Sequence, residues 1–566
     1  MLRRYLPMLD WLPAYKRRWL KADAVAGLSV WALLVPQSLA YATLAGVPVQ
    51  YGLYTAFAAL IAYAIFGSSK HLAEGPSAAI CAVCAAVITP LVGQAELGTQ
   101  AAAPYAAALA LTSGAVYVAL GVLRMGWIST FLSKAVMAGF VLGFSLGIII
   151  SQAPKLFGVP ATSGSYVQEL WGLVKELPDT SGTTLAVGGG SLALLLLMRY
   201  RRPRWPRALI VMGLSIVAVN LFDLGNHGVA ITGDVPTGLF SIELPGIGWS
   251  HLGALVTGGL SVVFVGYSES LAAARAMAVK HRYDIDPNQE LIAQGTSCAA
   301  AGFVGGFPVD GSLSKTSVAD SAGQKTQMAS LINAVFVLFT LLFLASIFEK
   351  LPSATLGAIV IDAMVGLVSF VDMRRYYRVN RPDWVFFMGA MIGILSVGII
   401  AGVLVGVILS LLLLIARSSR TSVRPLGRES DTGAFHDVER HEGLETIPGV
   451  VVVRVDGPLF FADADRFRAR VKDLVLEEAE LTGVVLDAEA VHLTDTDGAD
   501  IVVQVAGELK AQGATLSLAR VHPPIVALWR RAGVTDAVGG IFETVEDAVT
   551  TLTGSGAPDD QPSSPP

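Results

Sequence analysis

Two charged side chains stand where charge is expensive. Glu269 lies in the apolar run Val262-Val263-Phe264-Val265-Gly266-Tyr267-Ser268-Glu269-Ser270-Leu271. Lys315 follows the Gly-rich stretch Gly305-Gly306-Phe307-Pro308-Val309-Asp310-Gly311-Ser312-Leu313-Ser314. A charge at the centre of a bilayer costs roughly 2.5–3.5 kcal/mol or more, so each of these must be paired or used. The carboxylate can bind Na⁺ or take up a proton, either of which serves coupled transport. Its structural alternative is a fixed ion pair with Lys315 or Arg275. The lysine can supply the cation of an anion site; its alternative, snorkelling to the interface, fails at mid-depth. Ser77, in Glu74-Gly75-Pro76-Ser77, and Ser314 each open a helical stretch after a polar break. Their hydroxyls and N–H groups are placed to donate to an anion, because a helix N-terminus carries unpaired donors and partial positive charge. Gln37 and Tyr41 share one helical face beside Pro36, which loosens the helix, and they offer an amide and a phenol to a polar substrate. Asp362 stands in another apolar run without matched polar neighbours and reads as structural or as the edge of a cavity.

Such residues need elements that hold them at membrane depth, and the composition supplies them. The 566 residues are 53% hydrophobic and only 15% charged, which excludes a purely soluble enzyme. The formal net charge of −5 conceals two regions. Residues 421–566 hold 12 basic and 25 acidic residues, a net −13, which leaves +8 for residues 1–420. A polytopic membrane domain followed by an acidic soluble domain is predicted. The three cysteines all lie in apolar segments and exclude a disulfide scaffold. Cys81-x-x-Cys84 copies a redox spacing but has no second ligand pair and reads as two small packing side chains. No metal or cofactor is expected, and no nucleotide loop or nucleophile–base pair stands out.

Apolar runs of roughly 20 residues predict spans near 22–45, 50–67, 76–94, 104–124, 130–151, 182–199 and 207–222. A second set falls near 250–279, 287–306, 312–322, 326–348, 353–370, 383–400 and 401–417. Basic residues gather in the N-terminal arm (Arg3, Arg4, Lys16, Arg17, Arg18, Lys21) and after spans six, eight, twelve and fourteen. The opposite loops offer little beyond Lys155, Lys175 and Lys350. Both termini are therefore expected in the cytoplasm of a multi-pass cell-membrane protein. Two sets of seven must enter with opposite orientation, the inverted repeat of secondary transporters. The third span of each set begins in a polar, Gly- or Pro-interrupted stretch. Such backbone survives at depth only when covered, so two half-helices with converging N-termini are predicted.

Pro36-Gln37-Ser38-Leu39-Ala40-Tyr41-Ala42-Thr43-Leu44-Ala45-Gly46 with Tyr51-Gly52-Leu53-Tyr54 resembles the signature of the sulfate permease (SulP) anion transporters. Gly67-Ser68-Ser69, Gly75-Pro76-Ser77-Ala78, Ser312-Leu313-Ser314-Lys315-Thr316-Ser317 and Ala322-Gly323-Gln324-Lys325-Thr326-Gln327 extend the likeness over nearly the whole chain. The resemblance implies a core domain (spans 1–4 and 8–11) that moves against a gate domain (spans 5–7 and 12–14). It also implies a homodimer and a substrate site between the third and tenth helices. By position, Gln37, Tyr41, Ser77, Ser314 and Lys315 become anion contacts, and Glu269 takes the acidic coupling position. Many members have arginine where this chain has Lys315. The loss of the bidentate fork keeps bicarbonate and C4-dicarboxylates beside sulfate as substrates.

The tail alternates apolar strand runs (450–455, 484–487, 514–519) with helical patterns, which predicts a small α/β domain. It resembles the STAS domain, related to anti-sigma-factor antagonists. Thr496 falls at the position phosphorylated in the antagonists, although Asp497 would repel a phosphate beside it; the alternative for this loop is a helix cap. The expected layout is an arm over 1–21, a transport domain over 22–420, a linker over 421–447, a STAS domain over 448–553 and a disordered tail over 554–566. The expected function is proton-coupled, elevator-like symport of a small anion, with no enzyme activity. A Na⁺-coupled bicarbonate symporter or an uncoupled exchanger or channel is the alternative. The expected partners are the anion, H⁺ or Na⁺, membrane lipid, a second copy of the chain and a cytoplasmic protein at the STAS domain, with no nucleic acid.

Overall fold

The computed structural model describes residues 5–398 and 422–554, apart from 94–95, 128–132, 163, 203–204, 234, 236–237, 239, 243, 477 and 479. It also describes scattered residues between 402 and 412. These form two units divided near residue 411. The expected fourteenth span, 401–417, and the tail from 555 onward lie largely or wholly outside the described residues.

In the first unit, α1 (Leu20–Ala45) is followed by α2 (Gln50–Phe66), the two-residue strand β1 (Glu74–Gly75), α3 (Ala78–Val92), α4 (Ala103–Val122) and α5 (Lys134–Phe157). A short helix α6 (Tyr166–Glu176) leads to α7 (Gly182–Arg201) and α8 (Arg207–Phe222). The second set comprises α9 (Leu252–His281), α10 (Pro287–Phe303), β2 (Asp310–Gly311), α11 (Leu313–Ser321) and α12 (Met328–Phe339), which continues through tighter and wider turns to Lys350. It closes with α13 (Ser353–Val365), α14 (Phe370–Val379) and α15 (Arg381–Val397). Among the described residues, seven helices are long and apolar enough to cross a membrane, and α2, α3 and α8 are shorter apolar helices. The boundaries follow local chemistry. α1 ends at Gly46, whose φ of +80° suits a residue without Cβ. α10 starts at Asp286, whose carboxylate accepts from the N–H groups of Asn288 and Gln289, with Pro287 at the first helical position.

These helices sort into two bundles. α10 packs on α4 and α2, α12 on α1 and α2, α9 on α4 and α3, and α1 on α3 and α11. Separately, α5 packs on α15, α13 and α7, and α8 on α7. The first group is the core and the second the gate, and α1 bridges them through α8 and α13. Close approach is allowed by small residues: a Cβ on Gly52 would fall 2.0 Å from the Ser38 carbonyl oxygen, welding α2 to α1.

The core interlocks the two halves of the sequence through buried carboxylates. Glu290 accepts from the Tyr63 hydroxyl (2.7 Å), the Ser68 N–H and hydroxyl (2.9 and 2.6 Å) and the Ser69 N–H (3.1 Å). Asp23 accepts from the N–H groups of Lys325 and Thr326 and from the Thr326 hydroxyl (2.7, 3.2 and 2.8 Å). Four satisfied donors on one carboxylate and three on the other are what keep such groups in a protein interior. Asp362, at the gate, pairs with Arg207 (2.9 Å) and Arg199 (3.2 Å), in keeping with its structural reading.

The second unit is a six-stranded sheet of order β4-β3-β5-β6-β7-β8. Its strands are β3 (Ser422–Arg428), β4 (Phe435–Asp437), β5 (Val450–Asp456), β6 (Gly483–Asp487), β7 (Thr515–Ala519) and β8 (Ile541–Phe542). β5 to β8 run parallel, whereas β3 lies antiparallel to β5 and to β4. Alternation splits β6 between two cores. Val484 and Leu486 pack with α16 (Ala464–Leu476), α17 (Thr496–Ala511) and α18 (Pro523–Arg531), while Val485 packs under α19 (Val545–Thr553). The stretch 421–447, expected as a linker, is corrected: its residues 422–428 and 435–437 are two strands of this sheet. The reason is pairing, since β3 covers the edge of β5 that would otherwise lie open.

Candidate anion site

The two half-helices start from a joint backbone hinge. β1 and β2 pair antiparallel, Glu74 opposite Gly311 and Gly75 opposite Asp310, and the Ser312 N–H donates to the Ala73 carbonyl at 3.2 Å. The Gly311 N–H donates to the Ser270 hydroxyl (2.7 Å) and the Ala73 N–H to the Thr316 hydroxyl (3.0 Å), so broken backbone at this depth finds internal partners. The pairing sets the N-terminus of α3 beside that of α11. Ser77 is the N-cap of α3, its hydroxyl accepting from the Ile80 N–H at 3.4 Å. α11 has Ser312 as its N-cap residue.

Lys315 is 1% exposed, and its ammonium donates to the Pro76 carbonyl at 2.8 Å, spanning from one half-helix to the other. Gly75 makes room for it. At φ +145° with the Lys315 Nζ 3.3 Å from where a Cβ would stand, a side chain there would be strained and crowded. Gln37 and Tyr41 are buried on α1, the helix that packs against both half-helices. The Tyr41 phenol lies within electrostatic range of Cys81, Glu269 and Asp310. Glu269 is half-buried on α9 and interacts with Lys315 and with the Asp310 carboxyl. Ser314 departs from the expectation in one respect: it is exposed, and its hydroxyl is engaged with that of Ser312 at 3.0 Å. Thr496 lies elsewhere, in the second unit. It is exposed as the first residue of α17, and the cap there is Asp495, which accepts from the Gly498 N–H at 2.8 Å.

Two carboxyls escaped the sequence reading. Asp310 is wholly buried, and neither of its oxygens accepts a hydrogen bond of good geometry; its neighbours are the Glu269 carboxyl and the Ser77 hydroxyl. Glu74 is equally buried, one oxygen accepting from the Gln294 amide at 2.9 Å and the other without a partner. Asp310 therefore gives Glu269 a second carboxyl beside it. The antiparallel turn from β2 into α11 folds a residue 41 positions away back onto α9, which linear spacing does not reveal. A signal was present: an acid–glycine pair, Glu74-Gly75 and Asp310-Gly311, precedes the half-helix in each repeat. Three carboxyls thus surround one ammonium. Were all ionised, the cluster would carry two uncompensated negative charges, two of its three carboxyls being wholly buried, an arrangement that favours uptake of a proton or a cation.

Two crossed half-helices in an inverted repeat, with a buried cation where their N-termini meet, define a secondary-transporter architecture suited to anions. Residues 20–390 match the sulfate permease family and residues 443–548 the STAS domain, so the chain belongs to the sulfate permease family, whose members are anion transporters. It is 32% identical over 538 residues to a probable sulfate transporter of Mycobacterium tuberculosis (strain H37Rv), covering 94% of this chain and 96% of that protein. Against sulfate transporter 3.1 of Arabidopsis thaliana the identity is 28%, over 97% of this chain and 87% of that one. The structure of the murine Slc26a9 anion transporter in its inward-facing state superposes with a TM-score of 0.91 at 26% identity, covering 97% of this chain and 94% of that one.

Proposed function

We propose that the chain is a secondary active symporter of a small oxyanion, sulfate foremost and bicarbonate or a C4-dicarboxylate next. The observation that carries this reading is the buried Lys315 ammonium between two helix N-termini. Gln37, Tyr41, Ser77, Ser314 and Lys315 contribute the anion contacts, Ser314 by turning its hydroxyl from Ser312. Uptake couples to a proton shared between Glu269 and Asp310, which offsets part of the anion's charge in the low-dielectric core. The core then moves against the gate in an elevator-like step, carrying the site intact because β1 and β2 tie both half-helices into one body. The protein works as a homodimer in the cell membrane with both termini cytoplasmic, a topology favoured by the basic loops. Thr496, exposed at a helix start, is available as a regulatory site for a cytoplasmic partner.

Purified protein in proteoliposomes, offered labelled sulfate, bicarbonate and fumarate under separate H⁺ and Na⁺ gradients, tests this. Accumulation against the anion's gradient is expected only with the H⁺ gradient and is expected to vanish in Glu269→Gln. Uptake by that variant that still follows the gradient overturns the coupling role. Sodium-driven coupling is the second reading, favoured by one observation: the Glu269 and Asp310 carboxyls interact directly, and two adjacent carboxylates attract a hard cation. The Na⁺ arm decides between them.

A further inference from the structure

A second cation, Lys155, lines a cavity at the ends of α1 and α5. Between the end of α1 and the start of α13 lies a space of about 700 Å³, bordered by Thr43, Gln50, Thr99, Lys155, Thr232 and Ser353. Thr43, Gln50 and Thr99 belong to the core, and Lys155, Thr232 and Ser353 to the gate, so the cavity sits on the seam along which the two would move. It opens at helix ends opposite the arginine-rich loops, where Lys155 is one of few cations in the sequence. Among the described residues its ammonium meets only the Thr43 hydroxyl, at 3.5 Å, and no carboxylate pairs with it. A half-buried ammonium that no described carboxylate pairs with, in a cavity also lined by Thr99, Thr232 and Ser353, attracts an anion from solution. Gln50 and Ser353 are the first residues of α2 and α13, so two helix N-termini add positive potential to the same space. At about 30 Å³ per water, the volume holds roughly twenty waters, which suits an anion that keeps much of its hydration shell.

We infer that this cavity is a second anion site, a hydrated waystation at Lys155 for a small oxyanion on its way to or from the deep site. It rests on family membership and on the cavity's own residues, not on the assignment of Gln37, Tyr41, Ser77, Ser314 and Lys315. Because its walls come from both bundles, its affinity changes as the core shifts. The deep site then receives an anion already concentrated at the seam and has only to strip its water.

Thiol protection in full-length protein tests the site. The native thiols Cys81, Cys84 and Cys298 are buried, so a Ser353→Cys substitution introduces the reporter. Its reaction with neutral and with anionic methanethiosulfonates is followed by intact mass, at constant ionic strength, with sulfate, bicarbonate or fumarate added. With Lys155 present, the anionic reagent should be favoured over the neutral one. At least one added anion should slow labelling about tenfold at ten times its dissociation constant. Protection should persist in Lys315→Gln, persist with Lys155→Arg, and disappear with Lys155→Gln and Lys155→Met. An unchanged rate with the neutral reagent shows that those two variants keep the fold around position 353. No protection by any of the three anions overturns the inference, as does protection that survives the loss of Lys155. Protection abolished by Lys315→Gln, with its neutral-reagent rate unchanged, also overturns it, because it then reports the state of the deep site.

Discussion

Asp487 in the STAS domain and Asp310 in the membrane domain are both wholly buried carboxyls beside basic side chains, yet they are held in opposite ways. Asp487 ends β6 and is saturated. Arg454 donates to it at 2.8 Å from the neighbouring strand, and Arg520 grips both oxygens at 3.0 and 2.5 Å from the end of the next. Positive charge outnumbers negative there until Glu489 joins Arg520 at 2.7 Å. Asp310 shares one ammonium with two other carboxyls and has no donor of good geometry. A saturated carboxylate has one state and holds a structure. An unsaturated one gains from a proton or a cation, so it can have two states, which a coupled transporter needs.

The largest effect that sharpens this contrast is expected at Lys315. Lys315→Gln strips the only described cation from three carboxyls, two of them wholly buried. Breaking a buried pair costs about 3–5 kcal/mol, so anion uptake into proteoliposomes should fall by about a hundredfold or more, while Lys315→Arg should retain part of it. At Asp310 the contrast predicts opposite signs for two readouts. Asp310→Asn should remove gradient-driven accumulation but leave the thermal midpoint of the membrane domain unchanged or raised, because it removes an uncompensated charge. In the STAS domain Asp487→Asn should do the reverse. Losing charge-assisted bonds costs about 2 kcal/mol, read as a lower urea midpoint of that domain with the transport site untouched. Equal destabilisation by the two substitutions would break the comparison.

Acid should separate the domains as well. Burial alone would raise the Asp487 carboxyl, but hydrogen bonds from Arg520 and Arg454 outweigh it and hold the group below its ordinary value. A carboxyl depressed in the folded state stabilises fully above its unfolded value, about 3.9, and loses that contribution as pH falls through the folded value. The STAS domain should therefore keep this contribution unchanged between pH 5 and pH 8 and lose it only below about pH 4, as followed by circular dichroism. The smallest effect is expected at the start of α17. Thr496→Ala should shift stability by less than about 0.5 kcal/mol, whereas Asp495→Ala, which removes the cap, should cost about 1 kcal/mol.

Most of the fold is legible because most spans are continuous apolar runs and the sheet strands are short valine-rich runs. The half-helices were legible through their polar, Gly-rich starts, and with them the neighbourhood of Ser77 and Lys315. What could not be read was pairing between distant segments. β3 and β4 lie in a polar stretch of ordinary linker composition and become strands only because the β5 edge accepts them. Nothing local to Asp310 places it against Glu269, 41 residues away. Ser314 was correctly placed at the helix start, but its rotamer, which turns the hydroxyl toward Ser312, is set by a neighbour rather than by the helix.

The interlocking of the two sequence halves also bears on how the chain is made. The donors that satisfy Asp23 come 302 and 303 residues later, and Glu290 is separated from Ser68 by 222 residues. At roughly 5–20 residues per second of synthesis, Asp23 waits about 15–60 s in the membrane before Lys325 and Thr326 arrive. During that interval the first seven spans form an insertion intermediate with an unsatisfied carboxylate and an incomplete core. A chain stopped after α8 lacks every one of those donors, so the first seven spans alone cannot complete the core.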